Sequence, residues 1–183
     1  MTTIAAARAK AEAGERLSLA DAMALYQEND LLFLAACARR MKEKKSGRKV
    51  FYTVNRHINL TNICRSHCPL CAFQVGQDDP RGFVLEAEDI DRIVTEAQTV
   101  KNLSEVHIVS ALHPDKPFSY YLDVVRRVKA ALPQVDVKAF TPVEIVNFAR
   151  QTGKGIREIL ELLREAGLDS LPGGGAEILS DRL

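Results

Sequence analysis

No stretch of eighteen apolar residues occurs anywhere in the 183-residue chain, which excludes a transmembrane helix. The first residues lack the continuous apolar core of a signal peptide and carry Glu12 and Glu15, so a cytoplasmic address is expected. Charge of one sign is also missing. Lys and Arg number 25 against 24 Asp and Glu, for a net charge of +1. No whole-chain field therefore favours nucleic acid or an anionic membrane, and neither is expected as a partner. The one basic run, Arg39 to Lys49, falls where a helix is expected to end, where cations complement the helix dipole. Internal repeats and low-complexity segments are absent, as are the GxGxxG and P-loop patterns, so those routes to nucleotide binding are unsupported.

What is present is an ordinary globular composition, 46% hydrophobic and 27% charged, enough for one substantial core. The order of patterns divides the chain into a helical segment, 1–48, and an α/β segment, 49–183. In the first, Ser18 opens a helix with Leu19, Met23 and Tyr26 at helical spacing, and Leu31, Leu34, Ala35, Ala38 and Met41 share one face of a second. Ser46-Gly47 breaks the pattern.

From Val50 strands alternate with helices. Residues 51–59 suit a first strand, 105–110 a second, 135–140 a third and 168–171 a short fourth. Helices are expected over 86–101, 119–132, from Pro142, and along Ile156, Ile159, Leu160 and Leu163 to a stop at Gly167. Thr141-Pro142-Val143-Glu144 reads as a capping box with proline at the first helical position. This grammar predicts βαβ units around a parallel sheet, about four of them, as in part of a TIM-type barrel. A closed eight-stranded barrel needs roughly 250 residues and about 130 follow the N-terminal helices, so an incomplete barrel from the N-terminal part of a longer protein is expected.

Cys64, Cys68 and Cys71 form a Cys-x3-Cys-x2-Cys motif just after the first strand, at the end where barrel enzymes build their sites. Clustered cysteines in a reducing compartment read as metal ligands rather than disulfides. Three thiolates suit a [4Fe–4S] cluster with one iron left open. The competing reading is zinc, which wants four ligands. His67, directly beside Cys68, is poorly placed to supply the fourth, and Cys37 in the helical segment reads as a small buried hydrophobe. A non-catalytic iron–sulfur or zinc-binding module is the alternative from another functional class.

Residues 55–73, NRHINLTNICRSHCPLCAF, resemble the cluster loop of the menaquinone-pathway and deazaflavin-cofactor branch of radical S-adenosylmethionine enzymes. EVHIVSALHP (105–114), KAFTPVEI (138–145), LPGGGAEI (171–178) and GERLSLADAMALY (14–26) narrow the resemblance to the aminofutalosine synthase family. That resemblance implies a [4Fe–4S] cluster held by Cys64, Cys68 and Cys71, with S-adenosylmethionine as a consumed co-substrate. It also implies addition of a 5′-deoxyadenosyl radical to 3-[(1-carboxyvinyl)oxy]benzoate, giving 6-amino-6-deoxyfutalosine. An electron donor such as flavodoxin or ferredoxin is the implied partner. The alternative within the branch is the cyclic dehypoxanthinylfutalosine synthase.

The resemblance places Phe73 near the adenine and the backbone of Ser110 and Ala111 near the methionine amino group. There the chain departs from the Gly-Gly pair of the wider superfamily, and each position carries a Cβ. Gly173, Gly174 and Gly175 would let a ligand approach the backbone ahead of a helix start, or form a simple turn. His113, past the second strand, is a candidate to bind a substrate carboxylate or move a proton, or to cap its own loop. His57 shares a strand face with Asn59, opposite Arg56, and is a candidate substrate contact. His107 is expected to be structural and Glu144 the partner of Thr141.

Overall fold

The structure is a computed structural model that describes residues 2–173 and 180. It separates into an N-terminal unit ending at Tyr52 and a second unit beginning at Thr53. No helix among the described residues is long and apolar enough to cross a membrane.

The first unit holds α1 (Ile4–Ala13), α2 (Leu19–Tyr26) and α3 (Leu31–Ser46), and polar caps set their boundaries. The Ala6 N–H reaches the Thr3 hydroxyl, and Gly14 closes α1 in the left-handed region. The buried Asp21 carboxylate accepts from the Ser18 N–H at 2.9 Å, the Ser18 hydroxyl at 2.7 Å and the Lys10 ammonium at 2.9 Å. This cluster turns Ala24 and Leu25 toward Ala7 of α1. The turn reverses the face expected for α2: Leu19, Met23 and Tyr26 are exposed. Of the stripe expected on α3, Leu34 packs against the small core, while Leu31, Ala35, Ala38 and Met41 are exposed. A helix of eight residues is rotated by its polar anchors when apolar positions occur on more than one side.

The second unit is a three-stranded parallel sheet, β1 (Asn55–Asn59), β2 (Glu105–Val109) and β3 (Asp136–Ala139), in that order. His57 lies beside His107 and His107 beside Lys138. The first crossover contains α4 (Ala87–Ala97) and the second α5 (Phe118–Ala131). Then come α6 (Pro142–Thr152) and α7 (Ile156–Ala166). Ile58, Val106, Ile108, Val137 and Ala139 point from the sheet into one core with the apolar faces of these helices.

Three sequence expectations change. Residues 51–54 stay outside β1, where Phe51 and Tyr52 are exposed, and only Val54 is tied to the sheet edge, through Ser104. The helix expected over 86–101 ends at Ala97. The fourth strand contributes one parallel bridge, Lys138 to Ser170, so the described sheet has three strands. The expected capping box at Thr141 and the stop at Gly167 are both present.

In the second unit, α6 and α7 are each closed by a glycine with positive φ, Gly153 at 71° and Gly167 at 109°. A Cβ at Gly153 would meet nothing within 4 Å, whereas one at Gly167 would stand 2.6 Å from Lys129 Cγ. Gly153→Ala should therefore cost about 1 kcal/mol, the left-handed penalty alone, and Gly167→Ala more. Urea denaturation of the two variants checks that order.

Candidate active site at the strand ends

Parallel pairing brings the loops that follow β1, β2 and β3 to one edge of the sheet. The ladder continues past the strands: Leu60 N–H donates to the Val109 carbonyl at 2.9 Å, Ala111 N–H to Thr61 at 3.1 Å and Arg65 N–H to Leu112 at 2.9 Å. The cysteine loop and the Ser110–His113 segment are thus stitched together at their bases.

The loop base is pinned a second time. Thr61 and Asn62 are buried. The Thr61 hydroxyl donates to the Phe83 carbonyl at 2.6 Å and the Asn62 amide to the Arg81 carbonyl at 3.0 Å. Phe83 N–H donates back to the Asn62 side-chain oxygen at 2.9 Å. Cys64 N–H reaches the Val75 carbonyl at 3.0 Å, and Val75 N–H the Asn62 carbonyl at 2.9 Å. These side chains carry no chemistry, and the cysteine spacing pointed past them. Their signal was the Thr-Asn pair ahead of Cys64, residue types that bind nearby backbone.

Cys64 is half-buried at this anchored end, and Cys68 and Cys71 are exposed farther along. The Ser66 N–H lies 3.4 Å from Cys64 Sγ, and Cys71 N–H donates to the Cys68 carbonyl at 3.0 Å. Among the described residues no three His, Cys, Asp or Glu side chains already converge into a metal-binding group. The donor set nevertheless fits an iron–sulfur cluster: three thiols on one short exposed loop, with no fourth ligand gathered as structural zinc requires. His67 holds a positive φ of 47° inside the loop. Phe73, part-exposed, meets Phe83 edge-on at 6.2 Å.

On the neighbouring loop, the Ser110 hydroxyl donates to the Ala111 carbonyl at 2.9 Å, and Ala111 is buried. His113 is buried, and its Nδ1 accepts from the Asp115 and Lys116 N–H groups at 3.1 and 3.2 Å. An acceptor Nδ1 makes this a neutral imidazole with its proton on Nε2, and burial lowers its pKa in the same direction. One ring nitrogen therefore caps the loop, and Nε2 is the atom left for a ligand. Gly173 is exposed, with nothing within 4 Å of where a Cβ would stand; Gly174 and Gly175 lie outside the described residues.

The sheet face turned away from the helices carries His57, Asn59, His107 and Lys138. His57 Nε2 and Asn59 Oδ1 are 2.8 Å apart, and the His57 and His107 rings 5.1 Å apart. Arg56 points the other way, to Glu96 of α4 at 3.0 Å. His107 Nε2 is buried without a partner, and desolvation lowers its pKa below the ordinary value.

After β3 the chain turns sharply. Phe140 adopts φ of 63°, unusual for a bulky residue. The turn directs its fully buried ring toward Tyr121 and Phe148, at 5.9 and 5.3 Å, instead of continuing the strand alternation. Behind it, Glu144 Oε2 accepts from the Thr141 N–H at 2.7 Å and its hydroxyl at 2.8 Å. Oε1 is buried and has no partner, and burial pushes the Glu144 pKa up to about 7. One helical turn on, the buried Asn147 amide nitrogen also lacks a partner.

Comparison with known proteins sets this geometry in context. Residues 58–182 match the radical SAM superfamily. The chain is 42% identical over 169 residues to the aminodeoxyfutalosine synthase of Streptomyces coelicolor, covering 92% of this chain and 43% of that protein. It is 34% identical over 169 residues to the cyclic dehypoxanthine futalosine synthase of Halalkalibacterium halodurans, covering 92% and 45%. The chain thus spans less than half the length of these relatives. Among solved structures, the FeFe-hydrogenase maturase of Carboxydothermus hydrogenoformans superposes with a TM-score of 0.63 at 19% identity, over 92% of this chain and 47% of that one. That likeness shows a shared fold.

Glu144 holds its proton to about pH 7 when folded and releases it near 4.5 when unfolded. Between these values the folded state binds more protons, so stability should fall as pH rises from about 4.5 through about 7, by up to about 3 kcal/mol. Glu144→Gln, which keeps the shape and removes the titration, should lose that part of the slope in urea melts across this range.

Proposed function

The chain belongs to the radical SAM superfamily, whose enzymes use a [4Fe–4S] cluster and S-adenosylmethionine, and from that premise we propose that it serves an aminodeoxyfutalosine synthase. The observation that carries this reading is the Cys64, Cys68, Cys71 loop, anchored at the end of β1 and bonded to the loop after β2. The 42% identity to the Streptomyces coelicolor enzyme supports the same reaction. That reaction transfers the 5′-deoxyadenosyl group of S-adenosylmethionine, with methionine leaving, to the enol-ether double bond of 3-[(1-carboxyvinyl)oxy]benzoate. Rearrangement onto the ring and loss of the carboxylate as bicarbonate or CO2 give 6-amino-6-deoxyfutalosine.

The three cysteines would hold the cluster, which when bound would supply a reducing electron, and S-adenosylmethionine would supply the adenosyl group that remains in the product. The chain's own residues bind and orient. The pins at Thr61 and Asn62 tie down the chain ahead of Cys64, and Cys68 and Cys71 on the exposed stretch would complete the ligand set. Phe73 offers a ring face to the adenine. The Ser110–Ala111 backbone lies beside the cysteine loop, suited to the methionine end. His57 and Asn59, already hydrogen-bonded to each other, present polar atoms on the open sheet face, where a substrate with two carboxylates needs donors. With Cys68 and Cys71 exposed, a cluster held there would be open to an electron donor of the flavodoxin or ferredoxin kind.

The 34% identity to the cyclic dehypoxanthine futalosine synthase favours that enzyme as a second reading. Mass spectrometry of the products separates the two, since an adenosyl adduct of the substrate supports the first and free 5′-deoxyadenosine the second.

Anaerobic reconstitution should load about four irons per chain, and Cys64→Ala, Cys68→Ala or Cys71→Ala should each abolish the [4Fe–4S] signature. The EPR spectrum of the reduced cluster should change on addition of S-adenosylmethionine. An unchanged spectrum, or zinc in place of iron, would sink this assignment.

A further inference from the structure

Cys68 and Cys71 stand at the two ends of one tight turn. The Cys71 N–H donates to the Cys68 carbonyl at 3.0 Å, with Pro69 and Leu70 between them. The first and fourth Cα atoms of such a turn lie within about 7 Å, and a disulfide spans about 4.4–6.8 Å between Cα atoms. Pro69, with its φ fixed by the ring, is suited to the second position of the turn and keeps the two cysteines near each other. All four residues are exposed, Leu70 at 99%, so the turn is open to reagents in solution. We propose that Cys68 and Cys71 are a redox modification site: in the cluster-free chain they close a disulfide with each other while Cys64 stays a thiol.

Cys64 is set apart by its anchors. It is half-buried, its own N–H is bonded to Val75 at 3.0 Å, and the next N–H, of Arg65, is bonded to Leu112 at 2.9 Å. Among the described residues, the backbone N–H of Cys71 and the carbonyl of Cys68 bond only to each other. Closure within the turn therefore leaves every bond at the loop base in place. The step balances with a low-molecular-weight disulfide such as glutathione disulfide as the oxidant. One cysteine attacks it and releases one thiol, and the second cysteine then displaces the other. One S–S bond forms in the chain and one breaks in the reagent; two electrons and two protons leave with the two released thiols. A dithiol reverses the exchange, as for the transient, redox-sensing disulfides of reducing compartments. Two of the three cluster ligands are then locked away until that reduction. This consequence rests on the cluster-binding function proposed above, whereas the pairing rests on the turn.

Peptide mapping tests the pairing directly. Trypsin cuts after Arg56, Arg65 and Arg81, which places Cys64 in peptide 57–65 and both other cysteines in peptide 66–81. The reduced, iron-free whole chain is treated anaerobically with glutathione disulfide, alkylated with N-ethylmaleimide and digested. Peptide 66–81 should appear unalkylated and lighter by two hydrogens, with Cys64 alkylated. Cys64→Ser should leave that result unchanged, and Cys71→Ser should instead trap glutathione on Cys68. A cross-link between the two peptides, glutathione on separate cysteines of the unaltered chain, or alkylation of all three would each overturn the proposal. Transfer from a preformed, thiolate-ligated [4Fe–4S] complex, followed by iron analysis, tests the consequence: the reduced chain should load and the oxidised chain should not. Equal loading of both would overturn the block on assembly. Closure with no loading of the reduced chain would defeat the cluster reading alone, and loading with no closure would defeat the disulfide alone.

Discussion

Parallel, in-register pairing of β1, β2 and β3 is the constraint on which the remaining architecture depends. Antiparallel neighbours would send successive loops to opposite edges. Parallel ones force every chain reversal to cross back through a helix and deliver every strand end to the same edge. The cysteine loop, the Ser110–His113 segment and the Phe140–Glu144 turn are distant in sequence and neighbours in space for that reason. The helices of this unit, α4 to α7, pack on one face, where Ile58, Ile108 and Val137 are sealed from water, and the opposite face carries His57, Asn59, His107 and Lys138.

That division explains why histidine sits in a sheet at all. His107 lies between the core residues Val106 and Ile108, and His57 between Arg56 and the core residue Ile58; the two-residue period turns both histidines to the face opposite that core. The cost of placing imidazoles there shows in His107, whose Nε2 has no partner. A similar tension appears at Glu144. Its capping role is local and satisfied, but the same carboxylate is buried deeply enough to leave Oε1 without a donor and its pKa near 7. Among the described residues of this unit, His107 and Glu144 thus leave buried polar atoms unpartnered on a strand and just past a strand end.

The strand ends also show how rigidity is distributed. Cys64 is held through Val75 and by the Thr61 and Asn62 pins, whereas Cys68 and Cys71 sit on exposed chain.

Much of this was legible in order of residues. The Cys-x3-Cys-x2-Cys spacing, the Thr141–Glu144 box, the stop at Gly167 and the alternation of strands with helices are local signals, and each depends on atoms only a few residues apart. The faces of α2 and α3 were not legible, because short helices with apolar residues on several sides take their rotation from anchors such as Lys10–Asp21 in a neighbouring helix. The turn of Phe140 away from strand alternation was hidden too, since it serves an aromatic cluster contributed by α5 and α6. Sequence by itself determined the thiol spacing and the parallel plan, because thiol spacing and hydrophobic period are properties of contiguous chain. Tertiary structure alone decided which polar groups would be buried without partners, because burial is set by elements that meet only on folding. The three cysteines could be read from the chain, whereas the unpartnered burial of His107 Nε2 and Glu144 Oε1 could not.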